Sequence, residues 1–150
     1  MTTIRIGVVG YSGQKFDENE AQDLIAGTFD AIEMRWPDRK THPGKRAVTL
    51  TEKVIVSGLT DVGIPALAYR EAVRRGWKTV GIACEKAKEY DLFPVDKKII
   101  VGKEWGDESE TLLNNIDVLV RIGGGKQSLR EVKQFQETGK PVIEHELEAK

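Results

Sequence analysis

Asp117-Val118-Leu119-Val120-Arg121-Ile122-Gly123-Gly124-Gly125-Lys126-Gln127-Ser128-Leu129-Arg130-Glu131 passes from an apolar run through three glycines into a segment with helical character. A strand with one face in water alternates apolar and polar side chains, whereas Val118 to Ile122 is interrupted only at Arg121. It therefore reads as a strand covered on both faces, as in a parallel sheet. Glycines directly after such a strand let the chain turn sharply and bring backbone N–H groups close to an anion. The N-terminus of the next helix adds roughly half a positive charge. The stretch predicts strand, glycine loop, helix.

The pattern repeats outward from there. Ile4 to Val9, Lys53 to Val56, Thr79 to Cys84 and Lys98 to Val101 are further runs rich in Val and Ile, and Pro141-Val142-Ile143 is a final short strand. Between them, Ala21, Leu24, Ile25, Phe29, Ile32 and Trp36 share one face of a helix that begins near Glu18 and ends before Pro37. Ile64 to Arg75 is a second helix, with Pro65 in its first turn and Gly76 at its end; Glu108 to Asn115 and Ser128 to Thr138 are two more. Strand and helix in alternation imply right-handed βαβ units. The expected fold is α/β, a three-layer Rossmann-like domain spanning 1–150, with a mainly parallel sheet of about five or six strands and helices on both faces. Pro37 to Arg46 has no period and contains two prolines, so it reads as a long surface loop.

Composition narrows the function classes. With 150 residues, 39% hydrophobic and 31% charged, the chain has material for one core and is too apolar and too near neutrality for disorder. Its 23 Lys and Arg against 24 Asp and Glu leave no basic excess for nucleic acid, which is not an expected partner. The single cysteine, Cys84, excludes a disulfide framework or a thiolate metal site, and it reads as a small buried hydrophobe. No run approaches the roughly 18 apolar residues of a membrane span, and Met1-Thr2-Thr3-Ile4 leads directly into a strand, which predicts a cytoplasmic protein without a membrane partner. His42 and His145 are too far apart in this layout to form a metal site with each other or with Cys84.

In an open α/β sheet, ligands collect beyond the carboxyl ends of the strands, where strand order reverses. Three strand ends carry glycines there: Gly10-Tyr11-Ser12-Gly13, Ser57-Gly58 with Gly63 further on, and Gly123-Gly124-Gly125-Lys126 with Ser128. Neither a dinucleotide fingerprint (GxGxxG opening a helix) nor a GxxxxGK[ST] loop is present, so ordinary NAD dehydrogenase and ATPase readings lose ground. The three glycine loops suit a phosphate, and Ser12, Gly58, Gly124, Gly125 and Ser128 are expected to face one crevice. Gly124→Val is expected to abolish phosphate binding and spare the fold.

The run from Asp117 to Glu131 resembles the signature of the SLOG superfamily, which groups Lonely Guy proteins (historically called lysine decarboxylase-like), DNA-processing protein A and molybdenum-cofactor carriers. Its Lonely Guy pattern is PGGxGTxxE: Gly124 and Gly125 match the glycine pair, Ser128 takes the threonine place and Glu131 the glutamate place, while Gly123 replaces proline and Gln127 the last glycine. Ser57-Gly58, Gly63 and the helix ending in Arg74-Arg75-Gly76-Trp77 are similar to the family's second loop and helix, and Gly10-Tyr11-Ser12-Gly13 to its first loop. The resemblance implies a Rossmann-like fold, nucleotide or molybdopterin-type ligands with no required cofactor, and a homodimer or larger homo-oligomer. It also implies, in Lonely Guy enzymes, cleavage of the N-glycosidic bond of nucleoside 5'-monophosphates by the motif glutamate with an upstream arginine. Counting back from Asp117, that arginine falls at about Glu108-Ser109, where there is none. Binding without catalysis is thus the leading reading. The alternatives are a phosphoribohydrolase with Glu131 and a displaced Arg121, and a molybdenum-cofactor carrier.

Each residue also has a plain structural reading. Ser128 and Glu131 have the spacing of a capping box, which would explain both without chemistry. Arg121 either points into the crevice or pairs with an acidic neighbour. Lys126 either reaches a phosphate or lies solvated, and Tyr11 and Trp105 either stack on a base or pack at the rim. Arg35, Arg39, Lys40, Lys45 and Arg46 form either a solvated loop or a ligand lid.

Overall fold

The computed structural model describes residues 2–37, 39–40 and 49–150. His42, Lys45, Arg46 and most of the expected basic loop lie outside the described residues. Strand β1 (Thr2–Gly10) is followed by helix α1 (Glu18–Arg35), the two-residue strand β2 (Arg39–Lys40), strand β3 (Thr49–Ser57) and helix α2 (Gly63–Arg74). Strand β4 (Lys78–Ala83), a 3-10 turn (Glu85–Glu89), strand β5 (Lys97–Ile100) and helix α3 (Ser109–Asn114) come next, then strand β6 (Val118–Ile122), helix α4 (Lys126–Gln136) and strand β7 (Val142–His145).

The main sheet has the order β5-β4-β3-β1-β6-β7 and every neighbouring pair in it is parallel. The expected Rossmann-like α/β fold is what the chain adopts. One detail differs from the expected irregular loop: Arg39 and Lys40 pair antiparallel with Leu50 and Thr49, so the chain enters β3 through a short ribbon.

Period-2 alternation within the strands sorts the core into two layers. Ile6, Val8, Ile55, Val118, Val120 and Ile122 pack with Ile25, Phe29, Ile32 and Tyr69 of α1 and α2. Val9, Val54, Val56, Ile82 and Leu119 pack with Leu112 of α3 and Val132 and Phe135 of α4. Asp17 caps α1 by accepting from the Glu20 N–H at 3.0 Å. Arg75, at the end of α2, donates to Glu71 and Asp30 and to the Ala26 carbonyl, tying α2 to α1. No helix among the described residues is long and apolar enough to cross a membrane.

This topology decides where a ligand can sit. From β1 the chain moves sideways to β3, β4 and β5, and then returns to place β6 on the other side of β1. The loops after β1 and β6 therefore diverge to opposite faces, α1 on one and α4 on the other, and open a crevice between the two strand ends.

Candidate functional site

A cavity of about 390 Å³ occupies that crevice. Gly10, Tyr11, Ser12 and Gly13 line it from the first loop, Ser57 and Gly58 from the second, and Gly125, Lys126, Ser128 and Glu131 from the start of α4. Three loops spread over more than a hundred residues of chain thus meet in one place. Four of the five residues expected to share a crevice do so; the exception is Gly124.

The loop between β6 and α4 explains both the cavity and that exception. Gly123 and Gly124 have φ of 61° and 103°, a region that favours glycine. The reversal they make lets α4 start at Lys126, with Gly125 as an N-cap that offers no side-chain hydrogen bond. A Cβ on Gly124 would fall 2.6 Å from Ser128 Oγ and 3.1 Å from Gly10 Cα, so Gly124 faces inward. The expectation that Gly124→Val would spare the fold is therefore corrected: this position is held by the turn itself. Gly125 and Gly58, by contrast, have open space where a Cβ would be.

The loop leaves a run of N–H donors open at the start of α4. Leu129 N–H already bonds the Gly125 carbonyl at 3.2 Å, the first bond of the helical ladder. The N–H groups of Gly124, Gly125, Lys126, Gln127 and Ser128 have no acceptor among the described residues. Ser12 and Gly13, across the cleft, likewise donate to no described group. Lys126 is the one cationic side chain among the described residues that line the cavity.

The capping box does not form. Because α4 begins two residues earlier than its sequence signal, Ser128 lies inside the first turn and Glu131 in the second. Glu131 is 3% exposed and turns toward α3: Ser109 Oγ donates to its Oε2 at 2.7 Å and Gln127 Nε2 reaches the same oxygen at 3.5 Å. Gln127 Nε2 also donates to Glu108 Oε1 at 3.2 Å, and the Gly106 N–H donates to Glu108 Oε2 at 3.0 Å. Glu108 and Ser109, counted as the place of the absent arginine, stand directly beside the motif glutamate. Glu108 and Gln127 were not chosen from sequence as site residues; the signal that could have found Glu108 was its place in that count, opposite Glu131.

Burial pushes the Glu131 carboxyl above the ordinary carboxylate range; the bonds from Ser109 and Gln127 oppose this, and the nearby Glu108 adds to it. A carboxyl with a raised folded-state pKa weakens the fold as pH rises from its unfolded value through the folded one, since the folded state then gives up a proton it holds more tightly. Glu131→Gln removes that loss and keeps an acceptor for Ser109. Relative to the parent, the variant gains stability in urea melts as pH rises above the ordinary carboxylate range, and a difference that does not change with pH would refute the assignment.

Other residues have roles away from the cleft. Arg121 does not line the cavity: it is 3% exposed, donates from Nε to Glu144 at 2.7 Å and from Nη1 to the Gly123 carbonyl at 2.9 Å, and pairs with Glu146. Of its two readings, the geometry matches the acidic neighbour, for a guanidinium this deep keeps its charge only with compensation. Gly63 lines a second cavity beside Ser12, and Gly123 has the Tyr11 ring where a side chain would be. Cys84 is buried, and His145 Nε2 sits 2.9 Å from Thr28 Oγ1. Among the described residues there is no group of His, Cys, Asp and Glu that could hold a metal ion.

No protein-family model and no curated protein matches the chain. Solved structures do. A molybdenum cofactor binding protein from the phototrophic bacterium Rippkaea orientalis is 24% identical, with a TM-score of 0.70 over 96% of this chain and 77% of its own. The molybdenum cofactor carrier protein of Chlamydomonas reinhardtii is 20% identical, with a TM-score of 0.64 over 95% of this chain and 76% of its own. The structural-genomics target TM1055 is 24% identical, with a TM-score of 0.67 over 93% of this chain and 72% of its own. At these identities the likeness is one of fold, and molybdenum-cofactor carriers are among the groups that the sequence signature resembles.

Proposed function

We propose that the chain binds the phosphate of a small nucleotide or pterin-type ligand and does so as a binding or carrier protein. The observation that carries this is the row of four N–H groups from Gly125 to Ser128 with no acceptor among the described residues, at the switch point of the sheet and in the cavity that Ser12 and Gly13 also line. An anion there gains several charge-assisted hydrogen bonds, the favourable end of the α4 dipole and Lys126. A cavity of about 390 Å³ suits a ligand of one phosphate and one ring system.

Two fold neighbours are a molybdenum cofactor binding protein and a molybdenum cofactor carrier protein. A molybdopterin-type ligand carries a phosphate and a heterocycle, so the residues here fit its phosphate end. Cleavage has less support, because Glu108 and Ser109 occupy the place of the expected arginine and Arg121 is engaged outside the cleft. The homodimer that the resemblance implies belongs to the same proposal.

The test is a thermal-shift screen with inorganic phosphate, nucleoside mono-, di- and triphosphates, NAD, ADP-ribose and molybdopterin, followed by analysis for released base. A hundredfold excess over the dissociation constant gives about 2.7 kcal/mol of stabilisation, hence a rise of about 5–10 °C for a chain of this size. The expected outcome is such a rise for at least one phosphorylated compound and no released base. Failure of every phosphorylated compound to shift the melt would sink the reading, and base release would replace it with the hydrolase alternative.

A further inference from the structure

Beyond holding a phosphate, the cleft has a direction. N–H donors and Lys126 lie at the start of α4, whereas Glu108, at the N-cap of α3, and Glu131, in the second turn of α4 and bonded to Ser109 of α3, also line the cavity. A phosphate is repelled from these carboxyl groups, so a ligand seated on the N–H groups turns its uncharged portion toward them. Gln127 sets the scale: its backbone N–H belongs to the anion-facing row and its side chain reaches Glu108. The acceptors therefore lie one glutamine side chain and one hydrogen bond away from the phosphate position.

Glu108 is 8% exposed. The Gly106 N–H donates to its Oε2 at 3.0 Å, with a longer contact of 3.4 Å to Oε1, and Gln127 donates to Oε1 at 3.2 Å. A carboxylate has about four acceptor positions; the single Gly106 proton is shared between the oxygens and lies nearer Oε2, and Gln127 takes one position on Oε1, so two donors leave about two positions open on a group already fixed in place. A buried charged acceptor with spare capacity gains most from donors that reach both oxygens at once. Trp105, three residues before Glu108, exposes about half of its surface and also lines the cavity.

We propose that Glu108 is the specificity-determining residue of the cleft and reads two adjacent hydrogen-bond donors on the uncharged portion of the phosphorylated ligand. The inference rests on the phosphate-binding reading above. Two sources present this paired-donor chemistry: the vicinal diol of a ribose, and the ring N–H with its neighbouring amine on a 2-amino-4-oxo ring such as guanine or a pterin. The edges of adenine and cytosine pair a donor with an acceptor, and the acceptor would meet Glu108 unfavourably.

Calorimetric titration of the parent and of Glu108→Gln with inorganic phosphate, ribose 5-phosphate, 2-deoxyribose 5-phosphate, GMP and IMP tests this. Loss of one donor facing a charged acceptor is expected to weaken the parent about ten- to a hundredfold in at least one pair, sugar against deoxysugar or GMP against IMP. The sensitive pair names the source. Glu108→Gln, which puts an amide donor where an acceptor was, is expected to erase that difference. A parent indifferent to both deletions, or a variant that keeps the discrimination, overturns the inference and leaves phosphate binding standing. Failure of all five probes to bind the parent removes both. Should Glu108→Gln not melt cooperatively, Glu108→Asp, which withdraws the carboxylate by one methylene, is read in the same comparison, and retained discrimination counts against the proposal.

Discussion

Gly125→Val weakens the binding of any phosphorylated ligand by about a hundredfold or more while the protein still folds. Gly125 has φ of -99° and ψ of -152°, an extended conformation that valine adopts without strain, and no atom lies within 4 Å of where its Cβ would be. The added methyl groups enter the cavity at the N-cap of α4, where an anion must approach to reach the free N–H groups. Losing two charge-assisted hydrogen bonds accounts for the factor of a hundred. The fold loses only the preference for glycine over valine at an N-cap, about 1 kcal/mol, or about 2–4 °C in Tm. Titration with the best ligand of the thermal screen, beside a melt of the free variant, checks both halves. Parent-like affinity would show that the anion does not sit on this loop.

Gly124→Val behaves differently although it is the neighbouring residue. Its φ of 103° and the 2.6 Å approach to Ser128 Oγ make it a residue of the turn. Lost binding in that variant would therefore report a damaged loop and says nothing about ligand contact.

Much of the fold was legible because its signals are local. Runs such as Ile4 to Val9 and Asp117 to Ile122, with amphipathic segments between them, are enough for a parallel sheet covered on both sides, and the structure has that sheet. The start of α4 was misread for a physical reason. Ser128-Leu129-Arg130-Glu131 carries the capping-box pattern, but Gly123 and Gly124 complete the reversal early enough for the helix to begin at Lys126. Glu131, freed from capping, turns to α3 instead. The convergence of three glycine loops follows from topology and was readable in advance. The partners of Arg121 were not, since Glu144 comes beside it only through the parallel pairing of β6 with β7. Nor does sequence separate a glycine that leaves room for a ligand from one that leaves room for the protein itself.

Gly10 belongs to the second kind, and Gly10→Ala is expected to destabilise the protein even without a ligand. A Cβ at this position would fall 2.3 Å from the Ile122 carbonyl oxygen and within 3.0 Å of the Ile64 side chain. Gly10 pairs with Ile122 at the carboxyl ends of β1 and β6, so the obstruction is backbone on one side and the first turn of α2 on the other. Neither can rotate away as a flexible side chain would. Relief requires the two central strands to part at the switch point, which also lowers the packing of Ile122, itself fully buried. Overpacking of this kind costs about 3 kcal/mol, or about 6–12 °C in Tm. Gly58→Ala is the matched control: the same methyl group, at a position that also lines the cavity, meets nothing within 4 Å, and its Tm is expected to stay within about 2 °C of the parent. If Gly10→Ala melts with the parent, the close approach of β1 to β6 that opens the cleft is wrong, and with it the position of the N–H groups that depend on the turn above.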